Sequence, residues 1–306
     1  MKNRILFVLF PVLVAFAFAA AGGLCAEGHL KVVTSNSIFA DLAKEIGGDD
    51  VTVEAVSSPK FNPHFIQPKP SDVRKVKAAD LFVFMGLDLE AWVDPLLEAA
   101  ARPELFRGGQ RNADLSEGIR LLNVPSRLDR SEGDIHAFGN PHYTMNPENF
   151  RTMAATLSRK LQEANPAHAE LFRTNEKAFL GRLDAKIAEW KALTAHCAGK
   201  EVVSYHEDIA YFADFLGLKS EWFLEPKPGI PPTPKHLEDL EAHMKSEKVG
   251  VIVLPTYYSR ATADEIARRA GAKVVLIGQQ PGELPGTEDF FAFFDYNFRT
   301  IADALK

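Results

Sequence analysis

The chain has 306 residues, a net charge of −6 and two cysteines, Cys25 and Cys197. An acidic chain lacks the cationic footprint that nucleic acid requires, so we expect no nucleic-acid partner. With so few thiols a cysteine-rich zinc site is excluded, and any metal must be held by imidazole, carboxylate or amide groups.

The first 26 residues have the pattern of a secretory signal peptide. Two cations precede an uncharged apolar run over 5–21, and small residues lead to Ala26. We predict export to the periplasm with cleavage after Ala26. Leu24 stands where a bacterial lipoprotein has a small residue, so simple cleavage is favoured over lipid anchoring at Cys25. Removal of this segment leaves 280 residues and lowers the net charge to −8, which suits a protein that handles cations.

Strands and helices alternate over the first part of the exported chain. Short apolar runs rich in Val predict strands, and apolar residues at helical spacing predict helices. The strands are predicted at 30–34, 51–56 and 80–84, and the helices at 38–46, just after Ser71 and at 88–101. Four prolines in 57–70 exclude regular structure there, so we predict a stiff ordered loop.

The middle of the chain is predicted to be helical. One helix covers 148–163, and Pro166 suits the first turn of a second helix that reaches about His196. Thirty helical residues span about 45 Å, enough to cross two lobes. We therefore predict a rigid connector that allows only small lobe movements.

The last third alternates again, which indicates a second parallel sheet with helices on both faces. Strands are predicted at 201–205, 220–224, 249–253 and 273–277, and helices at 208–216, 234–246, 260–270 and 287–304. The fold class is therefore α/β, with two lobes of mainly parallel sheet joined by a long rigid helix. We predict a signal peptide at 1–26, lobes at 27–147 and 199–306, and linking helices at 148–198.

Three of the nine histidines occupy positions suited to metal ligation. His64 lies in the proline-rich loop, His142 lies between two prolines at the entry to the middle helices, and His206 follows a strand at its carboxyl end. Ligands of open α/β sheets bind beyond the carboxyl ends of the strands, so we expect all three in the cleft between the lobes. His136 lies in a polar loop and is kept as an accessory ligand. His168, His196, His236 and His243 are expected on solvated helix surfaces.

Several stretches together resemble the solute-binding proteins of zinc and manganese ABC importers. They are NPHFIQPKPSDVRKVKAADLFVFMGLDLEAW, NPHYTMNPEN, KEVVSYHEDIAYFADFLGL and LEPKPGIPPTPKHLEDL. The resemblance covers 30–304 and implies that His64, His142 and His206 are metal ligands. It also implies a membrane permease as partner and a monomeric, non-enzymatic protein. Three imidazoles favour Zn²⁺, with Mn²⁺ as the alternative.

The chain departs from the family where many relatives supply a fourth ligand, an Asp after the last strand. It reads GQQPGE at 278–283. Water is the first choice for the fourth ligand, and Gln279, Gln280 and Glu283 are the alternatives.

Two alternative functions are compatible with the sequence. A zinc hydrolase also needs three protein ligands and a water, with Glu207 or Asp208 as general base, but no hydrolase motif is present. A binding protein for a chelated metal or an organic ligand needs an aromatic pocket, for which Trp92, Trp222, Tyr257 and Tyr258 are candidates.

Overall fold

The computed structural model describes residues 29–126, 136–227 and 229–306. The predicted signal peptide and Cys25 lie outside these residues. Within the described ranges, none of the helices combines the length and apolar character needed to cross a membrane.

The N-terminal lobe (N-lobe) is built on a sheet of four parallel strands in the order β2-β1-β3-β4. All four residues of β3 are buried, as expected for a parallel strand that is covered on both faces. Its elements are β1 (Leu30–Thr34), α1 (Ser37–Gly47), β2 (Val51–Ala55), α2 (Pro70–Lys77), β3 (Leu81–Phe84), α3 (Val93–Ala100) and β4 (Asn112–Asp114).

The C-terminal lobe (C-lobe) repeats this topology, with four parallel strands in the order β6-β5-β7-β8. Its elements are β5 (Glu201–Ser204), α6 (Ala210–Leu216), β6 (Lys219–Phe223), α7 (Pro234–Glu247), β7 (Val251–Pro255), α8 (Arg260–Ala270), β8 (Lys273–Ile277) and α9 (Phe290–Ala304). In both lobes the first strand lies inside the sheet with crossovers to either side, which opens a crevice at the carboxyl ends of the strands.

Two helices connect the lobes, α4 (Phe150–Ala164) and α5 (Ala169–Thr194). The 26 residues of α5 span about 39 Å. Near one end Asn175 donates to the carbonyl of Ile46 in α1, and near the other the Trp190 indole donates to Asp295 in α9 at 2.7 Å. The predicted connector is confirmed, and it is tied to both lobes.

Aromatic side chains extend the core across the junction of the lobes. Phe150 in α4 packs on Phe290 in α9 with ring centres 4.5 Å apart, and Phe179 in α5 packs on the same ring at 5.4 Å. One cluster of buried apolar residues runs from β1 to α9. Opening the lobes would expose part of this cluster to water, which opposes a wide hinge movement.

The predicted architecture is correct, and a few element boundaries differ. The helix expected from residue 88 begins at Val93, because Leu87 and Asp88 adopt left-handed φ values of 52° and 61°. The strand expected at 249–253 covers 251–255, since the amide of Val249 still donates to the carbonyl of Met244 and ends α7. The last helix begins at 290 instead of 287, and the short β4 was not predicted.

Candidate metal site

His64 lies in the loop after β2, within a short 3₁₀ turn over Pro63–Phe65. The side chain of Asn62 accepts a hydrogen bond from the backbone amide of His64 at 3.0 Å. The Trp92 indole, at the start of α3, donates to the carbonyl of Pro63 at 2.9 Å. This loop has no neighbouring strand to pair with, so these two bonds fix the backbone at the histidine.

His142 lies in the long segment between β4 and α4 and is only 4% exposed. Its backbone amide donates to the side chain of Asn140 at 2.9 Å. The amide nitrogen of the same Asn140 side chain donates to the carbonyl of Glu207 at 2.7 Å, and the Tyr211 hydroxyl donates to the Asn140 carbonyl at 3.0 Å. Asn140 therefore holds His142 in place and joins it to the C-lobe.

His206 lies two residues after β5, at the carboxyl edge of the C-lobe sheet, and is also 4% exposed. The hydroxyl of Ser204, the last residue of the strand, donates to the carbonyl of His206 at 2.7 Å. The end of β5 thus positions the His206 side chain in the cleft.

The three histidines converge between the lobes. The ring centres are 5.3 Å apart for His64 and His142, 5.5 Å for His142 and His206, and 6.0 Å for His64 and His206. Imidazoles on one tetrahedral zinc have ring centres about 5 Å apart, since each nitrogen lies 2.0–2.1 Å from the ion. One ring nitrogen from each histidine lies within 4.8 Å of the other two.

The nitrogens in this cluster are available to a metal. The Nε2 atoms of His64 and His142 are buried and have no hydrogen-bond partner within the part of the chain that the structure describes. Buried polar atoms are normally paired, so such atoms call for a ligand. Together with His206 they offer three nitrogen donors, the set that zinc accepts.

Burial keeps these rings neutral. The pKa of His64 is lowered to about 3 and that of His206 to about 4, mainly by burial and in smaller part by positive charge on His136. The pKa of His142 also lies well below the ordinary value, again mainly because of burial. Since only neutral imidazole binds a metal, the site is ready for an ion at neutral pH. Burial thus moves protonation of these rings below the ordinary histidine range.

Comparison with known proteins identifies the family. The family described as "Zinc-uptake complex component A periplasmic" matches residues 32–304. This chain belongs to that family. Its members are components of metal-uptake systems and are not enzymes.

Curated relatives share about a quarter of the residues. The zinc-binding protein AdcA of Streptococcus pyogenes is 26% identical over 316 residues, which cover 98% of this chain and 61% of AdcA. The chain thus spans about three fifths of the length of that relative. The manganese ABC transporter substrate-binding lipoprotein PsaA of Streptococcus anginosus is 28% identical over 100% of this chain and 99% of its own.

A solved structure confirms the fold. The crystal structure of ZnuA superposes with a TM-score of 0.76 at 22% identity, and the match covers 90% of this chain and 99% of ZnuA. At this identity the likeness is evidence for two parallel-sheet lobes with a long connecting helix.

Two of the three residues considered for a fourth ligand have other partners. The side-chain oxygen of Gln280 accepts from the amide of Ser37 at 3.2 Å and from its hydroxyl at 3.3 Å, a contact between the lobes. Glu283 accepts from the amides of Gln279 at 2.7 Å and Gln280 at 3.2 Å with one oxygen, and from Thr256 with the other. Gln279 is buried, and its side-chain nitrogen has no partner among the described residues.

The accessory candidate His136 lies beside the three histidines. Its ring centre is 5.1 Å from that of His64 and 6.3 Å from that of His142. His136 is half-buried at the mouth of the cleft. The structure therefore groups four imidazoles rather than three.

The histidines predicted on helix surfaces stay away from the cleft, but all four have a close polar partner and are not simply solvated. His196 and His236 contact the carbonyls of Ala302 and Phe223 at 2.9 Å and 2.8 Å. His243 contacts Glu201 at 2.6 Å, and the more exposed His168 lies 2.7 Å from Asp50.

Most of the groups proposed for the rival functions make contacts of their own, whereas neither carboxylate oxygen of Asp208 has a hydrogen-bond partner among the described residues. Trp92 supports the His64 loop, Trp222 stacks on His243 with ring centres 4.4 Å apart, and Tyr258 stacks on Tyr205 at 3.7 Å. Glu207 accepts from the side chain of Asn123. Asp208 is fully buried, and burial raises its pKa well above the ordinary value.

Sequence reasoning missed Asn62 and Asn140. Each stands two residues before a histidine in the same tripeptide, Asn-Pro-His, and in each the Asn side chain accepts from the histidine amide. Asn is suited to this turn because its short side chain reaches the backbone two residues ahead. The repeated tripeptide at 62–64 and 140–142 was the available signal.

Proposed function

We propose that this chain is an extracytoplasmic solute-binding protein that captures Zn²⁺ between its lobes and delivers it to the permease of an ABC importer. The observation that carries the proposal is the convergence of His64, His142 and His206, drawn from both lobes, with one ring nitrogen each within 4.8 Å of the others. Membership of the zinc-uptake family supports the same function.

The donor set favours zinc over manganese. Imidazole nitrogen suits Zn²⁺, whereas Mn²⁺ prefers carboxylate, carbonyl and water oxygens. The carboxylate nearest in sequence to the family's fourth ligand, Glu283, is held by backbone amides and Thr256. With three nitrogens in the cluster and Glu283 held in this way, the site matches zinc better, and we expect Mn²⁺ to bind more weakly.

Metal binding should require only a small contraction of the cluster. Nitrogens on a tetrahedral zinc lie about 3.3 Å apart, compared with the present upper limit of 4.8 Å. Shifts of about 1 Å in the side chains and their loops would close this gap. The shared aromatic core and α5 oppose larger movements, so we expect transfer to depend on local loop changes and not on a wide opening of the lobes.

The location and partners follow from the same proposal. The segment 1–26 would direct the chain to the periplasm, where the monomer binds its ion and then docks on the membrane permease. Simple cleavage after Ala26 leaves the protein free to diffuse between the two tasks.

The proposal can be tested by metal analysis of the exported chain purified without a His tag, followed by competitive zinc and manganese titrations. We expect one equivalent of zinc and weaker manganese binding. Substituting Ala for His64, His142 or His206 should each weaken zinc binding by more than about 100-fold, because loss of a ligand exceeds the cost of losing a supporting residue.

His168→Ala is the matched control, since this histidine pairs with Asp50 away from the cleft. It should bind zinc like the wild type. Full zinc affinity in all three ligand variants would refute the proposed site, and a preference for manganese would refute the assignment of the metal.

A further inference from the structure

The three histidines of the proposed function leave one corner of a tetrahedral zinc site to be filled. The oxygen of Gln280 is used by Ser37, and both oxygens of Glu283 accept hydrogen bonds from backbone amides or Thr256. Recruiting either would break bonds that join the lobes or hold the loop after β8. A donor already near the histidines would avoid this loss.

His136 is such a donor. Its ring centre is 5.1 Å from that of His64, the spacing of about 5 Å expected for two imidazoles on one zinc ion. This is the shortest distance between ring centres in the cluster, and the 6.3 Å to His142 exceeds the expected spacing by only about 1 Å. An inward movement of the His136 ring would bring it towards the fourth corner.

The electrostatic influence of His136 points to the same location. Positive charge on its ring contributes to lowering the pKa of each of the other three histidines. A single side chain has this effect on three buried rings only if it lies close to all of them. His136 therefore lies near all three rings.

The local backbone holds His136 at the mouth of the cleft. The amide of Gly139 donates to the carbonyl of His136 at 3.2 Å, and the amide of Asn140 donates to the carbonyl of Leu122 at 2.8 Å. Gly139 has a φ of 121°, a conformation that favours glycine. This turn ends at Asn140, the residue that positions His142 and contacts the C-lobe. His136 is thus attached to the best-anchored part of the segment.

We propose that His136 supplies the fourth ligand, so that the captured ion is held by four imidazole nitrogens and is covered from solvent by the His136 ring. This inference rests on the proposed function and extends it. A site with four neutral nitrogens discriminates further against Mn²⁺, which prefers oxygen donors. It also removes the bound water that a three-histidine site would carry.

The test is NMR of the exported chain labelled with ¹⁵N in histidine, recorded before and after one equivalent of zinc. Direct coordination moves the ring ¹⁵N resonance of a histidine strongly. We expect four histidines to show this change, assigned with single His→Gln variants at 64, 136, 142 and 206. In competitive titrations, His136→Gln should bind zinc about 10–100-fold more weakly than the wild type. This loss is smaller than that for the other three histidines because water can take the fourth position. His168→Gln should match the wild type.

The outcomes separate the inference from the proposed function. Three coordinated histidines, with the His136 resonance and the affinity of His136→Gln unchanged, would overturn the fourth ligand and leave the three-histidine site standing. If no histidine resonance responds to zinc, both proposals fail. A melting curve of metal-free His136→Gln that overlays the wild type ensures that the affinity change reports on the site.

Discussion

The two lobes share one sheet topology but present their histidines differently. In the C-lobe, His206 follows β5 within two residues, and the strand fixes its position. In the N-lobe, His64 and His142 lie on long irregular loops, where prolines stiffen the chain and an Asn side chain ties down each histidine amide. Ligand positions in the N-lobe therefore depend on residues that never touch the ion.

Asn140 is the clearest example of a residue that positions ligands without touching the ion. Its side chain bonds both to the amide of His142 and to the carbonyl of Glu207, next to His206. One residue of the N-lobe thus sets the spacing between ligands of the two lobes. Asn62 has the first of these roles, and its side chain also interacts with the Tyr258 hydroxyl of the C-lobe.

Among the supporting residues of the two lobes, Asn140 is expected to show the largest loss of zinc affinity when it is replaced by Ala. The substitution removes two hydrogen bonds at once and frees His142 from the C-lobe. We expect zinc affinity to fall by about 100-fold, the upper end of the effect of residues that support a metal ligand. Competition with a chromophoric chelator measures the change.

Asn62→Ala is the matched comparison, because it removes the bond to the His64 amide but no bond to the residue next to His206. Its affinity should fall by about 10-fold. Equal losses in the two variants, or a larger loss for Asn62→Ala, would contradict the role of Asn140 in joining the lobes.

A smaller effect is expected in the acid stability of the metal-free protein. Unfolded histidine takes up a proton near pH 6.5, whereas folded His64 stays neutral down to about pH 3 and His206 down to about pH 4. The unfolded state therefore binds more protons than the folded state between pH 6.5 and 4. In that window each ring lowers the unfolding free energy by about 1.4 kcal/mol for every pH unit of acidification.

Urea unfolding of metal-free protein between pH 7 and 4.5 tests this expectation. The unfolding free energy of His64→Ala and of His206→Ala should fall less steeply on acidification than that of the wild type. If all the curves run parallel, the rings are not kept neutral by burial.

Much of this organisation could be predicted from the sequence, because periodicity, prolines and strand ends are local signals. They located both sheets, the connector and the three histidines of the proposed site. The left-handed turn at Leu87 and Asp88 was missed, since non-glycine residues with positive φ leave no clear pattern.

The contacts that decide the fourth ligand could not be predicted, because they depend on how distant segments meet. Gln280 is bonded to Ser37, 243 positions away in sequence, and His136 approaches His64 across the N-lobe. The Asn-Pro-His repeat was visible in the sequence, but its role in bonding the histidine amides became clear only from the structure.

The most direct test of the central claim is a crystal structure of the zinc-loaded exported chain, with anomalous diffraction data collected on both sides of the zinc absorption edge. We predict one anomalous peak between the lobes, within bonding distance of His64, His142 and His206. A peak elsewhere, or a peak bonded to histidines of only one lobe, would contradict the account.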